Sequence, residues 1–288
     1  MGEISIDPKF NIYETYKKVR ILNPYRNGAA PAPNSYLLDT YPAAVAYSLR
    51  KLSGGYTGAA IKVRESINNT EQDIGFDASG ELDTASLLNF VGAGNGLVTT
   101  IYDQAGVGLN FTQTDPVRQG RIVNSGSLNT LNGKPVILRS VDDNGGYISN
   151  YQPNDGVTVK GLFYIGNSNN QNQIIFGSIT AGGDFGYVSQ SGSTNDSVIY
   201  NIVLSEEKLN GATWTYSTRG NVYTDTINQF LLSIEVDFNF ERSNFSLGYR
   251  YVNPSGFGMY SFQEMIIFAN TTDHLDKETK INSYYTTY

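Results

Sequence analysis

Few side chains in this 288-residue chain could do chemistry. There is no cysteine, which excludes disulfides, thiol nucleophiles and thiolate metal sites together. The single histidine, His274, cannot build a histidine cluster, and a Ser-His-Asp triad would have to use that one ring. Carboxylates remain. In "VTTIYDQAGVGLNFTQ" the Tyr102-Asp103-Gln104 run reads in two ways: Asp103 as a base supported by Gln104, or Asp103 as a turn-former that lets Gly106 and Gly108 reverse the chain. In "SVDDNGG", Asp142, Asp143 and Asn144 cluster the oxygens a calcium ion needs, although an acidic turn without an ion is the commoner outcome. Glu235, Asp237 and Glu264 fall on predicted strands and Glu206 and Glu207 follow one; a solvated face or a ladder pair is the commoner role for such residues.

The elements that must position these groups are mostly strands. Tyr and Gly are abundant, 21 and 30 residues, in a chain only 16% charged, which favours an all-β protein with many turns. Residues 1–34 carry three prolines near their end and the basic cluster Lys17-Lys18-Arg20, and read as an extended arm. Spacing of Ala44, Tyr47, Ser48 and Leu52 predicts a short helix over 41–52, closed by "SGG". "AAIKVRES" alternates as a strand with Ile61 and Val63 inward, and "LDTASLLNFVG" reads as a helix capped by Asp83 and stopped at Gly92. Beyond residue 96, strands of four to eight residues alternate with Gly, Asn, Asp and Ser turns; examples are "GLFYIGN", "TWTYST", "FLLSIEVDFN" and "YSFQEMIIFAN". No βαβ rhythm intervenes, which points to a two-sheet sandwich, and "DHLDKETKINSYYTTY" reads as a closing helix.

Charge and hydropathy narrow the partners. Net charge is −7 and the 20 Lys and Arg are scattered, so nucleic acid is not an expected partner. No apolar run approaches the roughly 18 residues of a membrane span, and the first residues lack a secretory pattern, so a soluble intracellular product and no membrane partner are expected.

Four segments in order, "AAVAYSLRKLSGGYTGAAIKVRES", "DIGFDASGELDTASLLNFVG", "VTTIYDQAGVGLNFTQ" and "RIVNSGSLNTLNGKPVILRS", resemble the catalytic-domain region of the arabinofuranosidase B type, a block found also in structural proteins of tailed bacteriophages. The resemblance runs from about residue 36 to 288 and leaves the arm outside. It implies an all-β, concanavalin A-like two-sheet antiparallel sandwich (jelly roll) over residues 35–288, with a few short helices, preceded by the extended N-terminal arm 1–34. It also implies retaining glycosidase chemistry, which needs two carboxyl groups about 5 Å apart. Where the family carries its acid this chain has "GYRYVNPSGFGM", with Asn253 about at the acid position, and the matching nucleophile strand "SVIYNIVL" holds no carboxylate. No catalytic residue is therefore assigned.

The leading expectation is a phage virion protein, a fibre or decoration component. It would display a lectin-like domain to a host cell-surface glycan and contact other virion proteins through residues 1–34. Assembly in the host bacterial cytoplasm and a homo-oligomeric state go with that expectation, and no cofactor is expected beyond calcium at the acidic turn. A glycoside hydrolase and a purely architectural protein are the alternatives. For a sugar site, Trp214, Tyr249, Tyr251 and Asn253 supply aromatic faces and an amide. The relatives share the Tyr102-Asp103-Gln104 turn whether or not they are enzymes, so the resemblance assigns it, with Gly106 and Gly108, a structural role.

Overall fold

Alternation along the strands decides the architecture. In the strand Phe230–Glu241, Phe230, Leu232, Ile234 and Val236 point to one side and Leu231, Ser233 and Glu235 to the other. The same division holds for Leu162 and Tyr164 against Phe163 and Ile165, and for Met265 and Ile267 against Ile266 and Phe268. Both faces of this sheet are thus covered. A computed structural model describes residues 36–139, 147–149, 158–168, 172–178, 186–190, 192–195, 199–200, 204–241, 245–247 and 261–288. Residues Tyr36–Tyr288 form one unit, and the expected arm lies outside the described residues.

Within the described residues the unit has a six-stranded and a 13-stranded sheet and a two-stranded one, Thr130–Leu131 with Lys134–Pro135, and every strand pair is antiparallel. The smaller sheet runs Val45–Ser48, Glu264–Phe268, Thr158–Gly166, Phe230–Glu241, Leu204–Leu209, Ala212–Thr213 from edge to edge. One core cluster joins its inward side chains, such as Tyr47, Leu162 and Ile234, to Ile61, Val98, Phe111 and Phe262 of the larger sheet. That is the sandwich interior. A second cluster joins Phe163, Leu231, Ile266 and Phe268 on the outer face to Leu37, Leu52, Ile281 and Tyr285, so the C-terminal helix His274–Tyr285 roofs the smaller sheet. The all-β sandwich with a few short helices is the observed fold.

Residues 41–52 differ from the helix predicted for them: Val45–Ser48 is an edge strand, buried on both faces. A doubly covered strand needs no polar alternation, so its pattern is indistinguishable from that of a buried helix. "TWTYST" also departs from expectation. Only Ala212–Thr213 pairs, and the chain then enters a helix, Arg219–Asp225, through a capping box formed by Thr218 and Asn221. The helix Thr84–Val91 forms as its signals predict: Asp83 accepts from the Ser86 N–H, and Gly92 at φ 59° ends it.

Candidate functional site

Tyr102-Asp103-Gln104 lies beside the open edge of the smaller sheet. Asp103, 3% exposed, accepts four backbone N–H bonds: Ala46 and Ala105 at Oδ1, both 2.9 Å, and Val107 and Gly108 at Oδ2, 2.9 and 3.1 Å. Gln104 extends the pairing. Its backbone N–H donates to Ala46 O, its Nε2 donates to Ser48 O and Arg50 O, and its Oε1 accepts from the Leu52 N–H. Positions 46, 48, 50 and 52 are those that offer backbone groups on one side of an extended chain, so the turn stands in for a missing neighbour strand. Gly106 and Gly108, at φ 84° and 82°, make the reversal that brings the amides round to the carboxylate. Tyr102 donates its hydroxyl to Asp73 at 2.7 Å. With its lone pairs spent on amides, Asp103 is placed as a staple rather than a base.

Glu264 is likewise committed. It is 1% exposed, takes a bidentate bond from Arg50 (2.8 and 2.9 Å), and accepts from Ser48 Oγ at 2.7 Å and Tyr285 OH at 3.2 Å. The guanidinium stacks on Tyr284, 4.3 Å from the ring centre. Glu207 accepts from the Tyr216 hydroxyl.

Glu235 is different, because the sheet breaks around it. Register shifts occur on both flanks: between Val159 and Gly161, where Lys160 alone stands against the longer stretch 236–239 of the Glu235 strand, and between Leu204 and Glu206, which leaves Ser205 as an extra residue. A cavity of about 310 Å³ opens there, lined by Lys160, Ser205, Glu235, Val236 and the segment Ala269, Asn270, Thr271 and Thr272. Glu206 is directly opposite Glu235 on the neighbouring strand and is ion-paired to Lys208 at 2.8 Å.

Behind Glu235 stands His274, the first residue of the C-terminal helix. Its Nε2 lies 2.6 Å from Ser233 Oγ and its Nδ1 lies 3.4 Å from Glu235 Oε1. The ring stacks on Phe163 with centroids 4.4 Å apart, and Gly161 makes room for it: a Cβ there would come within 3.2 Å of Nδ1. Burial pushes the imidazole down to about 4, with the charges of Lys208 and Lys277 adding to the effect and Glu206 opposing it. The neutral tautomer that accepts the Ser233 hydroxyl at Nε2 carries its proton on Nδ1, which is buried beside Glu235 without a hydrogen bond to it. This is the residue order of a serine triad, but Ser233 is 2% exposed and lies outside the cavity lining, whereas Glu235 lines it. The end of the row that faces the cavity is the carboxylate.

Among the residues expected at a sugar site, Trp214 is away from this cavity. It is half-buried, donates its indole N–H to Asp225 at 2.9 Å and meets Tyr216 edge-on. Tyr249, Tyr251 and Asn253 lie outside the described residues, as do Asp142, Asp143 and Asn144. Among the described residues no group of three or more His, Asp or Glu is arranged to hold a metal. Sequence reasoning noted Glu235 and His274 separately and missed Lys160, Ser205 and Asn270. The Ser233-X-Glu235 spacing, which puts both side chains on one face of a strand, was the available signal; the register shifts had none.

No family model and no curated protein matches the chain. Among solved structures it is similar to a mutant GH54 α-L-arabinofuranosidase soaked with 4-nitrophenyl α-L-arabinofuranoside, at 18% identity and a TM-score of 0.48. It is also similar to an arabinofuranosidase complexed with arabinofuranosyl-α-1,2-xylobiose, at 17% identity and a TM-score of 0.43. Each match covers 86% of this chain and 64% of the other, so the chain spans less than two thirds of the length of those structures.

Proposed function

We propose that the chain is a carbohydrate-binding β-sandwich carried on a tailed-phage particle, with the cavity at Glu235 as its saccharide site. The observation that carries the saccharide reading is the cavity's lining: a carboxylate, an ammonium, a carboxamide and several hydroxyls converge where the ladder opens. Such a set matches the alternating donors and acceptors of a polyol, and about 310 Å³ is at the lower end of the range for small-ligand sites. Support for the particle context comes from the sequence resemblance and from the basic, proline-bearing segment 1–34. The ligand on this reading is a host-surface glycan, and other virion proteins engage the arm.

Glycan-array binding by the full chain, repeated with Glu235→Gln, tests the saccharide site. Array signal that disappears in a variant of unchanged melting temperature supports it, and absence of signal from the unaltered protein ends it. A shortened chain starting at Asn34 tests the particle context: it should fold and fail to enter particles, and normal incorporation would remove the anchoring role.

A second reading, glycoside hydrolysis, has one specific observation in its favour. Glu206 and Glu235 are directly opposed across strands, which places their Cβ atoms about 4.5–5.5 Å apart. Retaining glycosidases hold their two carboxyl groups about 5–5.5 Å apart. Against it, Glu206 is engaged by Lys208, an arrangement suited to holding a face together. Turnover of 4-nitrophenyl arabinofuranoside, abolished separately by Glu206→Gln and Glu235→Gln, would make this the better reading.

A further inference from the structure

We infer that the site is an elongated, two-lobed cleft that takes a disaccharide or longer glycan, with Tyr41 as the stacking platform of the second lobe; this rests on the saccharide reading of the Glu235 cavity. A second cavity, of about 220 Å³, has Asn270 and Thr272 in common with the first. Its far wall is Thr40, Tyr41 and Pro42, at the end of the short helix Leu37–Thr40. The lobes therefore adjoin along one segment of chain.

Their chemistries are complementary. Glu235 and Lys160 face the first lobe; Tyr41 and Pro42 face the second together with Asp273 and Lys277, and the Lys277 and Lys280 ammonium groups lie 5.8 and 5.9 Å from the Tyr41 ring centre. A sugar chain offers both kinds of surface: hydroxyls at the ring edge suit charged and amide groups, and C–H faces suit an aromatic ring. Each lobe alone is near or below the roughly 300 Å³ lower bound of small-ligand pockets, whereas a ligand crossing both has the walls of a full site.

The shared wall is held firmly. Lys277, 2% exposed, donates from Nζ to Asn270 Oδ1 at 3.2 Å and to Thr272 O at 2.6 Å, and sits 4.2 Å from the Phe268 ring centre. A buried ammonium that spends two bonds on one exposed segment fixes that segment in place. With Oδ1 of Asn270 turned to the lysine, its amide N–H groups are the donors presented where the lobes join.

The experiment is calorimetric titration of the full chain with the methyl glycoside, the disaccharide and the trisaccharide of the best-binding array glycan. The disaccharide should bind roughly tenfold tighter than the monosaccharide, the worth of one stacked ring. Thr40→Trp, at an exposed position, should fill the second lobe and remove that gain while monosaccharide affinity stays. Tyr41→Ala should do the same, with Tyr41→Phe restoring the gain. Equal affinity for all three ligands, or a disaccharide gain that survives both Thr40→Trp and Tyr41→Ala, would overturn the two-lobed cleft and leave the Glu235 site standing. No binding of any glycan would instead overturn the saccharide reading itself.

Discussion

His274 Nδ1 lies 3.4 Å from Oε1 of Glu235, across a gap that joins the roof helix to the strand bearing the cavity's carboxylate. Ser233, two residues earlier on that strand, anchors the far side of the same ring. One imidazole thus sits between the C-terminal helix and the strand that carries Glu235. Glu278, fully buried on the same helix, accepts from the Tyr288 hydroxyl, and Lys208 faces it from the sheet.

Replacing the ring should cost both stability and binding. His274→Ala removes the stack on Phe163 and leaves the buried Ser233 hydroxyl without its partner, a loss of about 2–4 kcal/mol. Chemical denaturation measures it. Glycan affinity at a temperature where the variant is still folded should also fall, because the ring packed behind Glu235 is gone.

Acid should act through the same residue. The folded imidazole titrates at about 4 and the unfolded one near 6.5, so the unfolded state binds the extra proton in between. The stabilisation is fully present above pH 6.5 and is lost as pH falls through 4, on the order of 3 kcal/mol in all. His274→Gln should flatten this part of a stability-versus-pH curve. An unchanged slope between pH 6.5 and 4 in that variant would assign the acid sensitivity to other groups.

Asp103→Ala should lower stability by about 1–3 kcal/mol, the range for buried donors left unpaired. Four amides lose their acceptor at once, including Ala46 on the sheet edge. Thermal melting checks the loss, and glycan binding by the folded protein should be unaffected, since the turn lines neither cavity.

Arg50→Leu should destabilise more strongly, by about 3–5 kcal/mol, because it strands the buried Glu264 carboxylate. The double change Arg50→Leu with Glu264→Leu should recover much of the loss. A double variant as unstable as the single one would locate the effect in the lost stacking of Arg50 on Tyr284 and Tyr285 rather than in charge.

Local pattern carried the elements whose exposure alternates or whose ends are marked. Ile61 and Val63 announce an inward-facing strand, Asp83 and Gly92 bracket a helix, and the Tyr-rich, Gly-punctuated text after residue 96 calls for a sandwich. The turn at Asp103 was legible too, since Asp followed by two spaced glycines is turn chemistry wherever it occurs. What local pattern cannot carry is a strand covered on both faces, because every position is then apolar or small. Val45–Ser48 therefore read as a helix until the roof helix and the opposing sheet were both in place. The site is further out of reach. Glu235, Lys160, Ser205, Asn270 and His274 are scattered over more than a hundred positions, and they meet only because two neighbouring strands slip register beside Glu235 and a helix from the end of the chain sets its first ring behind it. Register slips and helix docking are decided by the packing of whole layers, so the sequence by itself determined the sandwich and its turns, and the tertiary structure alone decided which carboxylate faces a cavity.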